Sequence, residues 1–276
     1  MSAVSEVPFW LKQLKRVFKP DQPPIGSEFP VVSIAEVAER HLTGGSRHMV
    51  TKSPTFEAFR SSTKKTVKWG HYCDVYDDCL LPLRDWLQSS NETPGILEIG
   101  TDHGGSLIAW RTLFGEKSMV CGLDIKPKDT EFNDPQIKMV IGSQTDRQTL
   151  KHAVEHLPKL HLVVDDGSHI GAHQRASFEF LWNFLQPGGL YVVEDLHTSY
   201  WRSFEKGFLR RRKTGFIDYA KHLVDVQHAH YSSRRYSKNE LDDFRDTIFN
   251  ITFFDSVVAI RKSKLPLTRV RFSNFK

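Results

Sequence analysis

The feature that most constrains the fold is the alternation of short apolar runs with amphipathic stretches along the chain after Pro94. Short apolar runs that end in glycine or acidic residues are typical of buried parallel strands, and the stretches between them are long enough for helices. The runs are "GILEIG" (95–100), "MVCGLD" (119–124), "IKMVIG" (137–142), "LHLVVDD" (160–166) and "GLYVVED" (189–195). Helices are expected near 104–114, 146–157, 171–185 and 216–228.

The last part of the chain has a different pattern. The stretch "TIFNITFFDSVVAIRKS" (247–263) contains two β-rich runs around Phe254 and Asp255, which predicts an antiparallel hairpin. Five parallel strands and this hairpin together predict an α/β fold with a doubly wound, seven-stranded and mostly parallel sheet.

A glycine-rich turn, "GTDHGGS", follows the first predicted strand and opens a helix. In such sheets ligands bind beyond the carboxyl ends of the strands, and glycines let a ligand approach the backbone and the helix N–H groups. Asp124 ends the second strand, where a carboxylate can bind the hydroxyls of a nucleoside ribose. The turn alone is a weak signal, because any tight strand–helix connection can use glycines and this one departs from GxGxxG.

The third strand ends in "IGSQTD", which brings Ser143 and Gln144 to the place where an adenine edge would lie. A dinucleotide is less favoured, because its pyrophosphate would prefer the complete glycine pattern. The adenosine-containing cofactor that fits best is S-adenosylmethionine.

Two acidic pairs end the next two strands, Asp165 with Asp166 and Glu194 with Asp195. Asp166, Glu194 and Asp195 can supply oxygen ligands to a divalent cation, and an all-oxygen set suits Mg²⁺ better than Zn²⁺. His169 lies on the following turn and can reach the same cleft. Each residue alone has a simpler explanation, since strand-end aspartates often cap helices and a single histidine is usually a surface residue. Their convergence at one sheet edge favours a functional site.

Together these motifs resemble the metal-dependent class I O-methyltransferases that modify sugars, the family of the macrolide sugar methyltransferases of mycinamicin and tylosin biosynthesis. The resemblance covers about residues 64–262 and implies a Rossmann-like class I methyltransferase fold. The matching stretches are "LEIGTDHGGSLIAW", "GLDIKP", "VVDDGSHIGAHQRASFEFLW", "QPGGLYVVEDLHTSYW" and "FFDSVVAIRK".

The resemblance implies roles for individual residues. Asp166, Glu194 and Asp195 would bind Mg²⁺, and the catalytic residues would be Asp166 and His169, the latter as general base. The residues predicted to bind S-adenosylmethionine are Glu98, Gly100, Gly105, Ser106, Asp124, Ser143, Gln144, Asp165 and Tyr72. One departure concerns "TVKWGHYCDVY", where Val67 precedes Lys68 although family members commonly have an Asp-Lys pair. Core packing of Tyr72 is therefore an equal alternative to a role as a cofactor lid.

The expected reaction is methyl transfer from S-adenosylmethionine to a hydroxyl of a sugar or glycosylated natural product. A Mg²⁺ chelated by two neighbouring hydroxyls would lower their pKa, and His169 would remove the proton. A catechol-type O-methyltransferase, which acts on an aromatic diol, is the first alternative. An RNA-binding protein or RNA methyltransferase is the second, although an aromatic and basic recognition motif is absent from the sequence.

Charge and cysteine content give weaker constraints. The 38 basic and 33 acidic residues leave a formal net charge of +5, and the basic run at 210–213 is expected to be a solvated helix end or loop. Cys73, Cys79 and Cys121 form no CxxC pair, which predicts free thiols in a reducing, cytoplasmic compartment. The sequence contains no apolar run long enough to span a membrane.

The first part of the chain has a different character. The stretch "PFWLKQLKRVFKP" (8–20) predicts a short amphipathic helix that rests on a membrane surface or packs on its own domain or a second subunit. We therefore expect a helical extension with a linker over 1–63, a methyltransferase domain over 64–276, and a homo-oligomer. Residues 197–213 are expected to overhang the cleft, either as a lid over the acceptor or as an ordinary amphipathic helix.

Overall fold

A computed structural model describes residues 53–201, 204, 215–231 and 244–265, and within them seven strands form one sheet. The strands are β1 (Gly95–Ile99), β2 (Met119–Asp124), β3 (Ile137–Ile141), β4 (Leu160–Asp165), β5 (Leu185–Val193), β6 (Ile248–Phe253) and β7 (Val258–Lys262). Their order is β3-β2-β1-β4-β5-β7-β6; β1 to β5 are parallel, and β7 runs antiparallel to both of its neighbours. The structure confirms the predicted doubly wound sheet and its terminal hairpin.

Helices cover both faces of this sheet. They are α1 (Pro54–Arg60), α2 (Tyr72–Ser89), α3 (Gly105–Phe114), α4 (Arg147–Glu155), α5 (Gly171–Leu181) and α6 (Phe216–Gln227), with short 3₁₀ helices at Leu196–Tyr200 and Ala229–Tyr231. The predicted helix over 171–185 ends earlier than expected, because β5 already begins at Leu185.

The central strands are buried on both faces, because consecutive side chains point to opposite sides of a sheet. In β1, Ile96 packs into the core that contains α2 and α3, whereas Leu97 packs into the core that contains α5 and α6. In β4, Val164 packs into the first of these cores and Val163 into the second. This double burial explains why these strands are continuous apolar runs in the sequence.

Helix α1 belongs to the first of these cores. The Ser53 hydroxyl caps it by accepting a hydrogen bond from the N–H of Phe56 (2.9 Å), and the ring of Phe59 lies 5.1 Å from that of Trp110. The domain boundary proposed at residue 63 stays a prediction. The amphipathic segment 8–20 and the basic run at 210–213 lie outside the described residues.

The three cysteines are buried free thiols, as predicted. Within the described part of the chain, none of the helices combines the length and the hydrophobicity needed to cross a bilayer.

The strand order places a crevice at one edge of the sheet. β1 and β4 are neighbours, and the chain connections leave them in opposite directions, so that a cleft opens beyond their carboxyl ends. Ile99 pairs with Asp165 at this edge, which puts Gly100 and Asp166 side by side at the mouth of the cleft.

Candidate active site

The turn after β1 has a backbone geometry that a side chain would disrupt. Gly100 has a φ of +83°, and a Cβ atom there would lie 2.0 Å from the carbonyl oxygen of Asp166. A Cβ atom on Gly105 would lie 2.4 Å from the carbonyl oxygen of Lys65. Both predicted glycines are therefore required by close backbone contacts on either side of the turn.

Asp124 lies beside this turn at the end of β2. Its Oδ2 atom accepts hydrogen bonds from the backbone N–H groups of Thr101 (2.8 Å) and Asp102 (3.1 Å), and its Oδ1 atom accepts one from the backbone N–H of Lys126 (2.8 Å). These contacts fix the carboxylate at the edge of the cleft. Ser143, at the end of β3, is half-buried, and its hydroxyl lies 2.9 Å from that of Thr145.

Glu98 is fully buried on β1 and retains an unused acceptor atom. The Ser106 hydroxyl donates to its Oε2 atom (2.5 Å), whereas its Oε1 atom has no hydrogen-bond partner among the described residues. Burial raises the pKa of Glu98 to about 7, against the opposing effect of the Lys68 ammonium. A buried acceptor without a donor normally binds water or a ligand, and Glu98 and Ser106 were both predicted to bind the cofactor.

Two residues that were predicted to contact the cofactor, Asp165 and Gln144, are buried and hydrogen-bonded within the protein, so that their cofactor contacts stay a prediction. Asp165 is fully buried and accepts hydrogen bonds from the side chains of Ser177 (2.6 Å), Gln144 (3.1 Å) and Tyr191 (3.2 Å). The carbonyl oxygen of the Gln144 side chain accepts from the N–H of Ser168 (2.8 Å). Strand alternation explains the result, because Asp165 points beneath the sheet toward α5 while Asp166 points into the cleft. Asp165 and Gln144 therefore fix the turn after β4.

Three side chains converge at the mouth of the cleft. Asp166, His169 and Asp195 are partly exposed, and one donor atom of each lies within 4.8 Å of the others. His169 Nε2 is 3.7 Å from Asp195 Oδ2, and the buried Nδ1 atom of His169 has no hydrogen-bond partner among the described residues. Two carboxylates and an imidazole at this spacing match the donor set of a divalent cation.

The remaining predicted metal ligand, Glu194, is held from the opposite side by α2. The Tyr76 hydroxyl donates to Glu194 Oε1, and one helical turn earlier the Tyr72 hydroxyl donates to Asp195 Oδ1 (2.7 Å). Burial raises the pKa of both phenols, which therefore stay protonated donors. Tyr72 is only 1% exposed. This burial favours the core-packing alternative, and a role of Tyr72 as a cofactor lid stays a prediction.

Lys68 is a residue of this site that the sequence did not reveal. Its Nζ atom donates to Asp166 Oδ2 (2.6 Å) and to Glu194 Oε2 (2.7 Å), and lies 3.8 Å from Glu98 Oε1. Burial raises the pKa of Asp166 and of Glu194 to about 7 despite this ammonium. The only sequence signal was the position of Lys68 just before α2, within the stretch that departs from the family pattern.

A row of aromatic rings, which we call the aromatic wall, adjoins these acids and consists of Trp69, His197, Trp201 and Phe204. Ring centroids are 6.1 Å apart for Trp69 and His197, and 4.8 Å apart for His197 and Trp201. Phe204 continues the row, 5.8 Å from Trp201 and 6.3 Å from His169. Trp69 is 36% exposed, so part of the wall can contact a ligand. Because residues 205–213 lie outside the described residues, a lid over 197–213 stays a prediction.

The hairpin turn between β6 and β7 supports the wall. The Ser256 hydroxyl lies 2.6 Å from Nδ1 of His197, and the Ser256 carbonyl accepts from the N–H of Leu196 (2.9 Å). Ser256 adopts a left-handed conformation with a φ of 63°, which turns its backbone toward the 3₁₀ helix. The terminal hairpin thus contributes a contact to the site as well as two strands to the sheet.

Comparison with known proteins relates this chain to one group of enzymes. It is 36% identical over 177 residues to the 8-demethyl-8-alpha-L-rhamnosyl tetracenomycin-C 2'-O-methyltransferase of Streptomyces olivaceus, a match that covers 60% of this chain and 44% of that protein. It is 38% identical over 148 residues to the demethylmacrocin O-methyltransferase of Streptomyces fradiae, covering 50% of this chain and 36% of that protein. The chain thus spans less than half the length of these relatives. No family model matches it.

The solved structures agree with this relationship. The MycE methyltransferase of the mycinamycin biosynthetic pathway, in complex with Mg and SAH, superposes with a TM-score of 0.61 at 26% identity, over 76% of this chain and 54% of that one. Over the residues that it shares with them, this chain is similar to these O-methyltransferases, and its fold is that of the class I methyltransferases.

Proposed function

We propose that this chain transfers the methyl group of S-adenosylmethionine to a hydroxyl of a sugar on a glycosylated small molecule, in a reaction that requires Mg²⁺. The observation that carries the proposal is the convergence of Asp166, His169 and Asp195 beside the glycine turn of a class I methyltransferase fold. The names of the relatives, which refer to sugar-bearing tetracenomycin and macrolide compounds, support the acceptor class.

The cofactor would lie across the carboxyl ends of β1 to β3. In this proposal Gly100 and Gly105 leave room for it, Asp124 and Ser143 meet its nucleoside end, and Glu98 supplies an acceptor for a charged donor group, with Ser106 holding the Glu98 carboxylate. The Oε1 atom of Glu98, which accepts no hydrogen bond from the described residues, supports this placement. The MycE complex with Mg and SAH supports the same pair of ligands for this chain.

The donor set fits a divalent cation, with Asp166 and Asp195 as oxygen ligands and Glu194 behind them. When bound, Mg²⁺ supplies Lewis acidity toward the acceptor hydroxyls and lowers their pKa. His169 would accept the proton from the reacting hydroxyl, because its imidazole faces the same space and neutral histidine is a competent base near pH 7. Tyr72 and Tyr76 would hold the acid pair in place.

The aromatic wall would bind the apolar face of the acceptor. An extended, partly exposed aromatic surface beside a polar cluster suits a molecule that is apolar on one side and carries hydroxyls on its edge. This property is shared by glycosides and by catechols, so the choice between them depends on the relatives.

A methyl-transfer assay tests the proposal. Purified protein is incubated with S-adenosylmethionine, Mg²⁺ and either glycosylated tetracenomycin and macrolide acceptors or simple catechols, and the release of S-adenosylhomocysteine is measured. We expect turnover of a glycoside and its loss in EDTA. Methylation of catechols but not of glycosides would show that the acceptor is an aromatic diol. Unchanged activity in EDTA would show that the reaction does not require Mg²⁺.

A further inference from the structure

Lys68 occupies the centre of the acidic group that the metal would also use. Its side chain is 8% exposed, and it donates to both oxygens of Glu194 (2.9 and 2.7 Å) as well as to Asp166. Asp166 also belongs to the cluster that faces the solvent. One carboxylate is therefore shared between an internal ammonium and the position that suits a divalent cation.

The residues that precede Lys68 are anchored to other parts of the protein. The Ser62 hydroxyl donates to the carbonyl oxygen of Gly105 (2.8 Å), and the Lys64 ammonium pairs with Asp129. The backbone of Lys65 also lies against Gly105. Residues 62–69 thus form a strap that is anchored at the cofactor turn, carries Lys68 into the acids and ends at Trp69 in the aromatic wall.

We propose that Lys68 is a positioning residue that competes with the divalent cation for Asp166 and thereby sets the metal affinity of the site. This inference rests on the proposed function, because it assumes that the cation binds at this cluster. Like charges a few ångströms apart repel strongly in a poorly screened site, so a cation near Asp166 must displace the ammonium or tolerate it. The Lys68 ammonium contacts Asp166 and both oxygens of Glu194 and thereby keeps these buried acids together.

A purely structural role for Lys68 and competition with the metal predict opposite changes in metal affinity when Lys68 is replaced. If the ammonium served only to hold the carboxylates in place, its removal would let them separate and metal binding would weaken. Competition predicts that its removal strengthens metal binding. The sign of the change in affinity therefore separates the two roles.

The experiment is calorimetric titration of Mg²⁺ into the wild type, Lys68→Gln, Lys68→Arg and Lys65→Gln. We expect Lys68→Gln to lower the Kd for Mg²⁺ by at least about tenfold, a conservative figure for the loss of one nearby positive charge. Lys68→Arg keeps the positive charge, so its Kd should lie closer to that of the wild type than the Kd of Lys68→Gln does. Lys65→Gln is the matched control, because Lys65 is an exposed residue of the same strap whose backbone alone lies against Gly105, and its Kd should not change. A Kd for Lys68→Gln equal to or above that of the wild type would overturn the proposal.

A measurement on the wild type covers the case in which Lys68→Gln does not fold. Lysines are acetylated with and without saturating Mg²⁺, and the modified peptides are quantified by mass spectrometry. Competition predicts that Mg²⁺ increases the labelling of Lys68 relative to Lys64, because the displaced ammonium leaves its carboxylates. Equal or lower labelling of Lys68 would contradict it.

The failure of this inference can be told from the failure of the proposed function. If the wild type methylates glycosides in a Mg²⁺-dependent way but the Kd of Lys68→Gln for Mg²⁺ is not lower than that of the wild type, only the inference about Lys68 is wrong. If the wild type still methylates glycosides in EDTA, both the Mg²⁺ requirement of the proposed function and the inference about Lys68 are wrong.

Discussion

His169 and Asp195 both adopt a left-handed backbone conformation, with φ values of 56° and 53°. This conformation costs a non-glycine residue about 1 kcal/mol or more, so it persists only where neighbouring contacts enforce it. The Thr198 hydroxyl donates to the carbonyl of His169 (3.1 Å), and the Asp195 N–H donates to the Tyr72 hydroxyl (3.2 Å). The strain turns both side chains toward the same space.

The first prediction concerns the proposed base. His169→Ala should lower turnover by about 10² to 10⁴-fold, because it removes the group that accepts the hydroxyl proton. The affinity for S-adenosylhomocysteine should stay within about twofold, since His169 was not predicted to contact the cofactor. Steady-state rates and calorimetry provide the two measurements.

His152→Ala is the control for this substitution, because His152 is an exposed residue of α4 away from the cleft. It should change neither turnover nor cofactor affinity. Turnover of His169→Ala within tenfold of the wild type would remove His169 from the mechanism.

At the scale of elements, α2 acts as a rigid support behind the acid pair. Tyr72 and Tyr76 lie four residues apart on one helical face, and their hydroxyls reach Asp195 and Glu194 respectively. The ring of Tyr76 also packs 5.1 Å from that of Trp110 on α3. Hydrophobic packing of α2 therefore determines where two of the predicted metal ligands lie.

A second prediction follows for Tyr76→Phe, which keeps the ring and removes the hydroxyl. The buried Glu194 carboxylate loses a donor, so the free energy of unfolding should fall by about 1–3 kcal/mol. Urea unfolding followed by circular dichroism measures this change. Tyr231→Phe, at a position 79% exposed, should stay within about 0.5 kcal/mol of the wild type. Equal urea midpoints for Tyr76→Phe and the wild type would show that the hydroxyl does not stabilise the site.

The turn after β1 gives a third prediction, with a closely matched control. Gly100 and Gly115 have nearly equal φ values, +83° and +87°, but a Cβ atom on Gly100 would clash with Asp166 whereas one on Gly115 would meet nothing within 4 Å. Gly100→Ala should weaken the binding of S-adenosylhomocysteine by at least about tenfold, because the turn must move away from the cofactor crevice. Gly115→Ala should cost about 1 kcal/mol of stability and leave this affinity unchanged. Equal affinities for the two variants would contradict this account of the turn.

At the scale of the whole molecule, the site is assembled from distant parts of the chain. The strap at 62–69, the ends of β1, β4 and β5, and the hairpin turn at Ser256 all meet at one edge of the sheet. Only the folded sheet holds four carboxylates and one ammonium this close together. The stability of the protein should therefore respond to pH and to metal ions at this point.

A fourth prediction concerns that response. Burial raises the pKa of Asp166 and Glu194 to about 7, well above the value of about 4 expected in the unfolded chain. A group of this kind contributes stability that is fully present below the unfolded pKa and is lost as the pH rises through the folded pKa. Without metal, these two groups should thus destabilise the protein progressively between about pH 4 and pH 8.

Magnesium should offset this loss, because it binds the deprotonated carboxylates. We expect the increase in melting temperature caused by Mg²⁺ to be small at pH 5 and largest near pH 8. Thermal unfolding at both pH values with Mg²⁺, and with a sodium salt of equal ionic strength as control, measures the difference. An equal increase at pH 5 and pH 8 would show that protons and Mg²⁺ do not share these carboxylates.

The sequence by itself determined the order of the strands along the chain and the chemistry at their ends. Continuous apolar runs identify buried parallel strands, because a strand with helices on both faces has no exposed side. Acidic residues directly after such runs must lie at the carboxyl edge of the sheet, so the sequence alone places Asp166, Glu194 and Asp195 near one another. The same reasoning places Gly100 and Gly105 at this edge, because they lie in the turn that follows the first strand.

Only the tertiary structure decided which neighbouring side chains face the cleft and what surrounds them. Asp165 and Asp166 are adjacent in sequence, but strand alternation and the packing of α5 send one into the core and the other into the site. Lys68 and Ser256 lie far along the chain from the residues that they contact, and neither carries a local pattern that indicates a partner. Such contacts arise from the packing of whole elements against one another, and hydrophobic periodicity specifies which face of an element is buried but not which side chain it will meet.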